Sequence, residues 1–200
     1  MIISPKYKFV FLATEKTGST TIHTVLKKIS DDQLIDKSED NILENGSINN
    51  YIDGKHLFCE RFIKKYPTYI NYFKFAFVRN PWDRVVSWYF FEKKCFTNEK
   101  RDLTNVKFRQ YIQNYQNIWA NKRQSQYEFT KCCDYIGRFE NIQVDFNAIC
   151  DKIGIARQKL PHKNKTTHKH YTKYYDEETK SIVAEKFSKD VEHFGYRFGS

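Results

Sequence analysis

The chain has no apolar run near the roughly 18 residues that a membrane span requires. Its opening segment, MIISPKYKFVFLA, carries Lys6 and Lys8 inside the apolar stretch and does not read as a secretory signal. A soluble, cytoplasmic protein is therefore expected. No Cys-x-x-Cys pair is present, and the five cysteines (Cys59, Cys95, Cys132, Cys133 and Cys150) are odd in number and irregularly spaced. That pattern favours neither a zinc ribbon nor a disulfide framework, so buried, reduced thiols are expected. No internal repeat and no linker-like stretch breaks the sequence. With 200 residues, one domain covering 1–200 is expected. An ordered set of His, Asp or Glu ligands is also lacking, and no metal is expected.

What is present is a globular balance, with 40% hydrophobic and 29% charged residues. Fourteen Tyr and 17 Phe supply both core and amphipathic surface. The formal net charge of +10 calls for anionic partners. Nucleic acid, phosphate-bearing cofactors and acidic glycans all satisfy it, and charge alone does not choose among them.

Apolar runs at 9–13 (FVFLA), 75–78 (FAFV) and 135–137 read as short strands. Helices are expected after them, with Ile22, Val25, Leu26 and Ile29 on one face of the first. Others are expected at about 56–65, from Pro81 through WDRVVSWYFFEKK, around 104–119, near 141–153 and over 176–194. Residues 31–54 and 157–173 read as polar loops. Strands alternating with helices give an α/β layer fold with a parallel sheet.

Two segments carry the chemistry. In the first, a strand runs into TEKTGSTT and then a helix, so backbone N–H groups and the positive end of the helix dipole face an open loop. Gly18 permits close approach of an anion. Thr17, Ser19, Thr20 and Thr21 add hydroxyls, and Lys16 adds a charge. The order Lys-Thr-Gly differs from the Walker order, in which glycine precedes the lysine. An ordinary strand-to-helix turn with a capping hydroxyl remains open as the alternative. In the second segment, FAFVRNPWDRVVSWYFFE, Arg79 sits at the carboxyl end of a strand, where α/β sheets bind ligands. Asn80 can cap and Pro81 can open the helix that follows. Ser87 lies eight residues after Arg79. The plainer alternatives are an Arg79–Asp83 ion pair and a small residue tolerated at a helix contact.

Taken together, KTGSTT after a strand and FAFVRNPWDRVVSWYFF resemble the two donor-binding signatures of the carbohydrate sulfotransferases, among them the glycan 2-O- and chondroitin/dermatan-type enzymes. These enzymes use 3′-phosphoadenosine 5′-phosphosulfate (PAPS) and release adenosine 3′,5′-bisphosphate (PAP). IGRFENIQVDF at 136–146 and the stretch from LPHKNKTTH through YYDEETKSIV to DVEHFGYRF extend the resemblance over nearly the whole chain. The resemblance implies a P-loop-like domain with a central parallel sheet flanked by helices. It also implies a 5′-phosphosulfate loop at Lys16–Thr21 and a 3′-phosphate grip by Arg79 and Ser87. Lys16 would face the bridging oxygen, and Lys165, with Arg157, would add positive charge over the nucleotide. One departure stands out: many members carry proline before the loop lysine, where this chain has Glu15.

Sulfuryl transfer needs charge stabilisation on the leaving side and a base on the attacking side. His56, 23 residues before Arg79, lies in GKHLFCERF, which resembles the region where glycan 2-O-sulfotransferases place a catalytic histidine. Glu60 is the alternative base. His23, His162, His168, His170 and His193 have packing, solvated or helix-terminal explanations. The expected partners are the nucleotide donor and an acceptor hydroxyl of a glycan. No specific nucleic acid and no metal are expected. A P-loop-type kinase and a non-catalytic basic nucleic-acid binder are the competing classes. The first lacks a Walker loop, and the second leaves the ordered signatures unexplained.

Overall fold

The computed structural model describes residues 1–29, 56–95, 103–114, 125–161 and 168–200. The expected loop at 31–54 and the last residues, 115–119, of the expected helix lie outside them. The chain divides into two compact units. One comprises Met1–Val78 with Glu128–Lys163, the other Arg79–Tyr127 with Asn164–Ser200.

The first unit is an α/β layer structure around a four-stranded sheet in the order β1-β2-β3-β4. These strands are β1 (Ile2–Ser4), β2 (Phe9–Phe11), β3 (Phe73–Val78) and β4 (Tyr135–Arg138). β2, β3 and β4 pair in parallel, with Phe11 opposite Phe75 and Phe75 opposite Tyr135. β1, absent from the sequence reading, adds an antiparallel edge through Ile3 opposite Val10. Helices join the parallel strands in sequence: α1 (Ser19–Ile29) and α2 (Cys59–Lys65) between β2 and β3, and α6 (Ile142–Ile153) after β4.

Side-chain alternation sends successive strand residues to opposite faces. Phe9, Phe11, Phe75 and Phe77 join Ile22, Val25 and Leu26 of α1 and Phe146 and Ile149 of α6 in one core. Val10, Leu12 and Ala76 join Leu57, Cys59 and Phe62 in the other. Both faces are covered, which is why FAFV shows no polar alternation. Each fully buried Phe contributes about 1.5–3 kcal/mol to the first core. Gly137 is fixed by packing, because a Cβ there would meet the Phe77 ring at 2.5 Å.

In the second unit, α3 (Pro81–Cys95) packs against α7 (Glu177–Lys186) and a 3-10 turn at Tyr171–Tyr174, and α4 (Phe108–Asn114) packs on α7. Asn80 caps α3 as expected, its Oδ1 accepting from the Trp82 N–H at 3.1 Å. The expected closing helix is two helices. Asp176 caps α7 through the Thr179 N–H. The backbone then breaks at Phe187 (φ −111°, ψ 30°) before α8 (Ser188–Phe194). Phe187 is 1% exposed and lies against Trp88, so its burial accompanies the break. The short helix α5 (Gln126–Thr130) carries the chain from the second unit back to the first.

The cysteine expectation needs correction. Cys59 of α2 and Cys132 are joined as a disulfide across 73 residues. Spacing could not show this pair, because the two segments meet only through the tertiary fold. Burial pushes the neighbouring Cys133 thiol up to about 12, with the Asp134 carboxylate adding to it, so Cys133 is a poor nucleophile toward the bond. Peptide mapping of the non-reduced protein is expected to recover a Cys59–Cys132 cross-linked peptide. Cys59→Ser should lower the unfolding free energy by roughly 2–5 kcal/mol in a urea titration. Complete alkylation of both thiols without prior reduction would contradict the pairing.

Candidate active site

The first anion-binding candidate grows directly out of β2. Leu12 N–H still bonds the Phe75 carbonyl at 2.9 Å, after which the backbone turns sharply. Lys16 and Gly18 take positive φ (63° and 77°) with Thr17 between them at negative φ. Alternation of this kind turns successive N–H groups toward one side, as in anion-binding nests. Gly18 meets two demands. Its φ suits glycine, and a Cβ would come within 2.5 Å of Ile142 Cδ1 and 3.3 Å of the Phe139 ring.

The hydroxyls of this loop divide by role. Thr17 is buried and donates to the Thr14 carbonyl at 2.9 Å, bracing the turn from within. The Thr21 N–H closes on the Gly18 carbonyl at 2.9 Å, starting α1. Ser19 and Thr21 are buried, whereas Thr20 is exposed. Thr14, which the sequence reading passed over, is fully buried, and its Oγ1 has no hydrogen-bond partner among the described residues. Glu15 and Lys16 are half-buried.

His56 is brought to this loop. It precedes α2 rather than opening it, and its Nδ1 lies 2.7 Å from the Ala13 carbonyl oxygen, one residue before Thr14. A carbonyl only accepts, so Nδ1 is the donor of this hydrogen bond. Glu60, the alternative base, is a mostly exposed side chain ion-paired with Lys131.

The second candidate belongs to the second unit. Arg79 follows Val78 at the end of β3 and is 8% exposed. Its Nε donates to Asp83 Oδ2 at 2.7 Å, so the ion pair read as the plainer alternative is formed and holds one edge of the guanidinium. Ser87 is buried on α3. Arg157 makes a bidentate pair with Asp151 (3.0 and 2.8 Å), an exposed interaction that neutralises its charge locally and lowers the Asp151 pKa. Lys165 and His162 lie outside the described residues. His168 stacks on Phe90 with ring centroids 5.0 Å apart, and His193 packs edge-on to Tyr127. Among the described residues no group of three or more His, Cys, Asp or Glu is arranged to hold a metal ion, and no helix is long and apolar enough to cross a membrane.

The sequence-family model described as the sulfotransferase family matches residues 1–197. The chain belongs to the sulfotransferase family. Sulfuryl transfer is therefore its chemistry in general terms, and the Lys16–Thr21 loop and Arg79 fall inside the matched region. A sulfotransferase from Alicyclobacillus acidocaldarius shares the fold. The two superpose with a TM-score of 0.51 over 95% of this chain and 96% of that one, at 13% identity. An uncharacterised protein of Archaeoglobus fulgidus is 30% identical over 93 residues, covering 44% of this chain and 72% of that protein.

Gly18→Ala tests the loop as built. It is expected to lower stability by about 1–3 kcal/mol, the usual result of overpacking, with added strain from φ. Urea unfolding with an unchanged midpoint would show that the loop differs from the geometry described.

Proposed function

We propose that this sulfotransferase moves the sulfuryl group of PAPS onto a carbohydrate hydroxyl, releasing PAP. The observation that carries the reading is the His56 ring, held through Nδ1 on the Ala13 carbonyl where β2 runs into the glycine-bearing loop. A base and an anion cradle in one unit fit an in-line transfer from an anionic donor.

The loop residues fit such a donor. The backbone N–H groups of Gly18, Ser19 and Thr20, at the start of α1, receive the 5′-phosphosulfate. The buried Thr14 Oγ1 is a polar atom that a ligand oxygen would satisfy. Thr17 acts through the loop's shape, and Thr21 contributes its hydroxyl rather than its N–H. Arg79 and Ser87 grip the 3′-phosphate, the arginine by charge-assisted hydrogen bonds and the serine by a weaker neutral one. Lys165 adds positive charge toward the nucleotide.

In the reaction, His56 Nε2 removes the proton of the acceptor hydroxyl as its oxygen attacks sulfur. Lys16 meets the negative charge gathering on the phosphate oxygen as the sulfur–oxygen bond breaks. The sulfuryl group passes to the acceptor oxygen, and the proton remains on His56. Charged side chains supply the stabilisation, so no metal is called for.

His56→Ala is expected to lower turnover by roughly 10²–10⁴-fold, the usual range for a general base, with PAP affinity nearly intact. Turnover within a few-fold of wild type would move the base elsewhere, with Glu60→Gln next to test. Activity should also survive exhaustive chelation. Loss that Mg²⁺ or Zn²⁺ restores would overturn the metal-free mechanism.

A further inference from the structure

Arg79 is the first residue beyond the β3–β4 ladder, which ends with Val78 opposite Arg138. Its peptide groups lie in a buried stretch and need partners. One side chain supplies both. The Arg79 N–H donates to Gln126 Oε1 at 2.8 Å, and Gln126 Nε2 donates to the Arg79 carbonyl at 2.9 Å. A neighbouring strand would pair with Arg79 in this way, and here a fully buried glutamine amide does so instead.

The amide is oriented in turn. Asp190, 0% exposed, accepts from Gln126 Nε2 at 3.3 Å through Oδ2. The same oxygen accepts the Gln126 N–H at 2.9 Å, and Oδ1 accepts the Tyr127 N–H at 3.0 Å and the Ser125 hydroxyl. A buried carboxylate requires compensation. Arg84 provides it, with Nη1 3.8 Å from Asp190 Oδ2 and its guanidinium 4.2 Å over the Trp88 ring. Because Asp190 can only accept, the amide nitrogen must face it and the Arg79 carbonyl, leaving Oε1 to the Arg79 N–H.

We infer that Gln126 is the positioning residue for the anion grip of Arg79, with Asp190 and Arg84 fixing which way its amide points. This rests on the proposed role of Arg79 toward the 3′-phosphate. Gln126 holds the Arg79 backbone while Asp83 holds Nε, so the guanidinium is presented in one orientation before a phosphate arrives. Preorganisation of this kind raises affinity by removing the ordering cost of binding. A residue that merely stabilised the unit would affect all ligands alike, whereas Gln126 acts on the 3′-phosphate alone.

Calorimetric titration of the full chain with PAP and with adenosine 5′-phosphosulfate, which lacks the 3′-phosphate, tests this in Gln126→Met, Gln126→Glu and Arg79→Ala. Gln126→Met keeps the length and removes both hydrogen bonds. It should weaken PAP by roughly five- to tenfold, about one hydrogen bond's worth, and change the second nucleotide less than twofold. Gln126→Glu keeps an acceptor for the Arg79 N–H but turns its second carboxylate oxygen toward Asp190 and the Arg79 carbonyl, both acceptors, and should show the same selectivity at larger size. Should the methionine variant fail to fold, Gln126→Asn, which keeps the amide but falls short of the Arg79 peptide groups, decides. Equal weakening of both nucleotides, or no weakening of either, overturns the inference if Arg79→Ala remains selective for PAP. If Arg79→Ala itself weakens both equally, the 3′-phosphate role of Arg79 is wrong and the inference falls with it.

Discussion

The parallel pairing of β2 with β3 is the constraint on which the remaining structure depends. Phe9, Val10 and Phe11 run alongside Phe73, Lys74 and Phe75, and the Leu12 N–H extends the ladder to the Phe75 carbonyl. Parallel strands end at a common edge, and the chain leaves β2 there toward Thr14. Their side chains hold the pairing from both faces, with phenylalanines on the α1 and α6 side and smaller residues on the α2 side. The same burial that stabilises the sheet therefore decides where its polar ends emerge.

Each of these polar segments is braced by neighbouring groups. Thr17 braces the first loop through the Thr14 carbonyl, and the Phe139 and Ile142 side chains leave no room for a Cβ at residue 18. The Ala13 carbonyl holds His56 through Nδ1. In the second unit, Gln126 and Asp190 do the equivalent for Arg79. Buried polar groups of this kind cost stability wherever they lack partners, and nearly all of those described have them. Thr14 Oγ1 is the exception beside the loop.

Much of this was legible in the sequence, for reasons of range. The glycine-bearing loop, the Asn80 cap, the Arg79–Asp83 pair and the face of α1 each depend on residues within a few positions of one another. His56 was legible only by resemblance, since its contact with Ala13 spans 43 residues. Pairings at long separation left no local trace. Gln126 lies 47 residues from Arg79 and 64 from Asp190. The Cys59–Cys132 bond joins segments 73 residues apart without a regular spacing. β1 is too short to announce itself, and the break at Phe187 reflects tertiary packing overriding helical periodicity.

Following labelled sulfate tests the proposed transfer itself. The purified chain would be incubated with [³⁵S]PAPS and a panel of polysaccharides and small hydroxyl compounds, with PAP release measured in parallel. Label is expected in a carbohydrate fraction, with one PAP formed for each sulfate transferred. An absence of label in every acceptor, together with phosphate transfer from ATP by the same preparation, would contradict it.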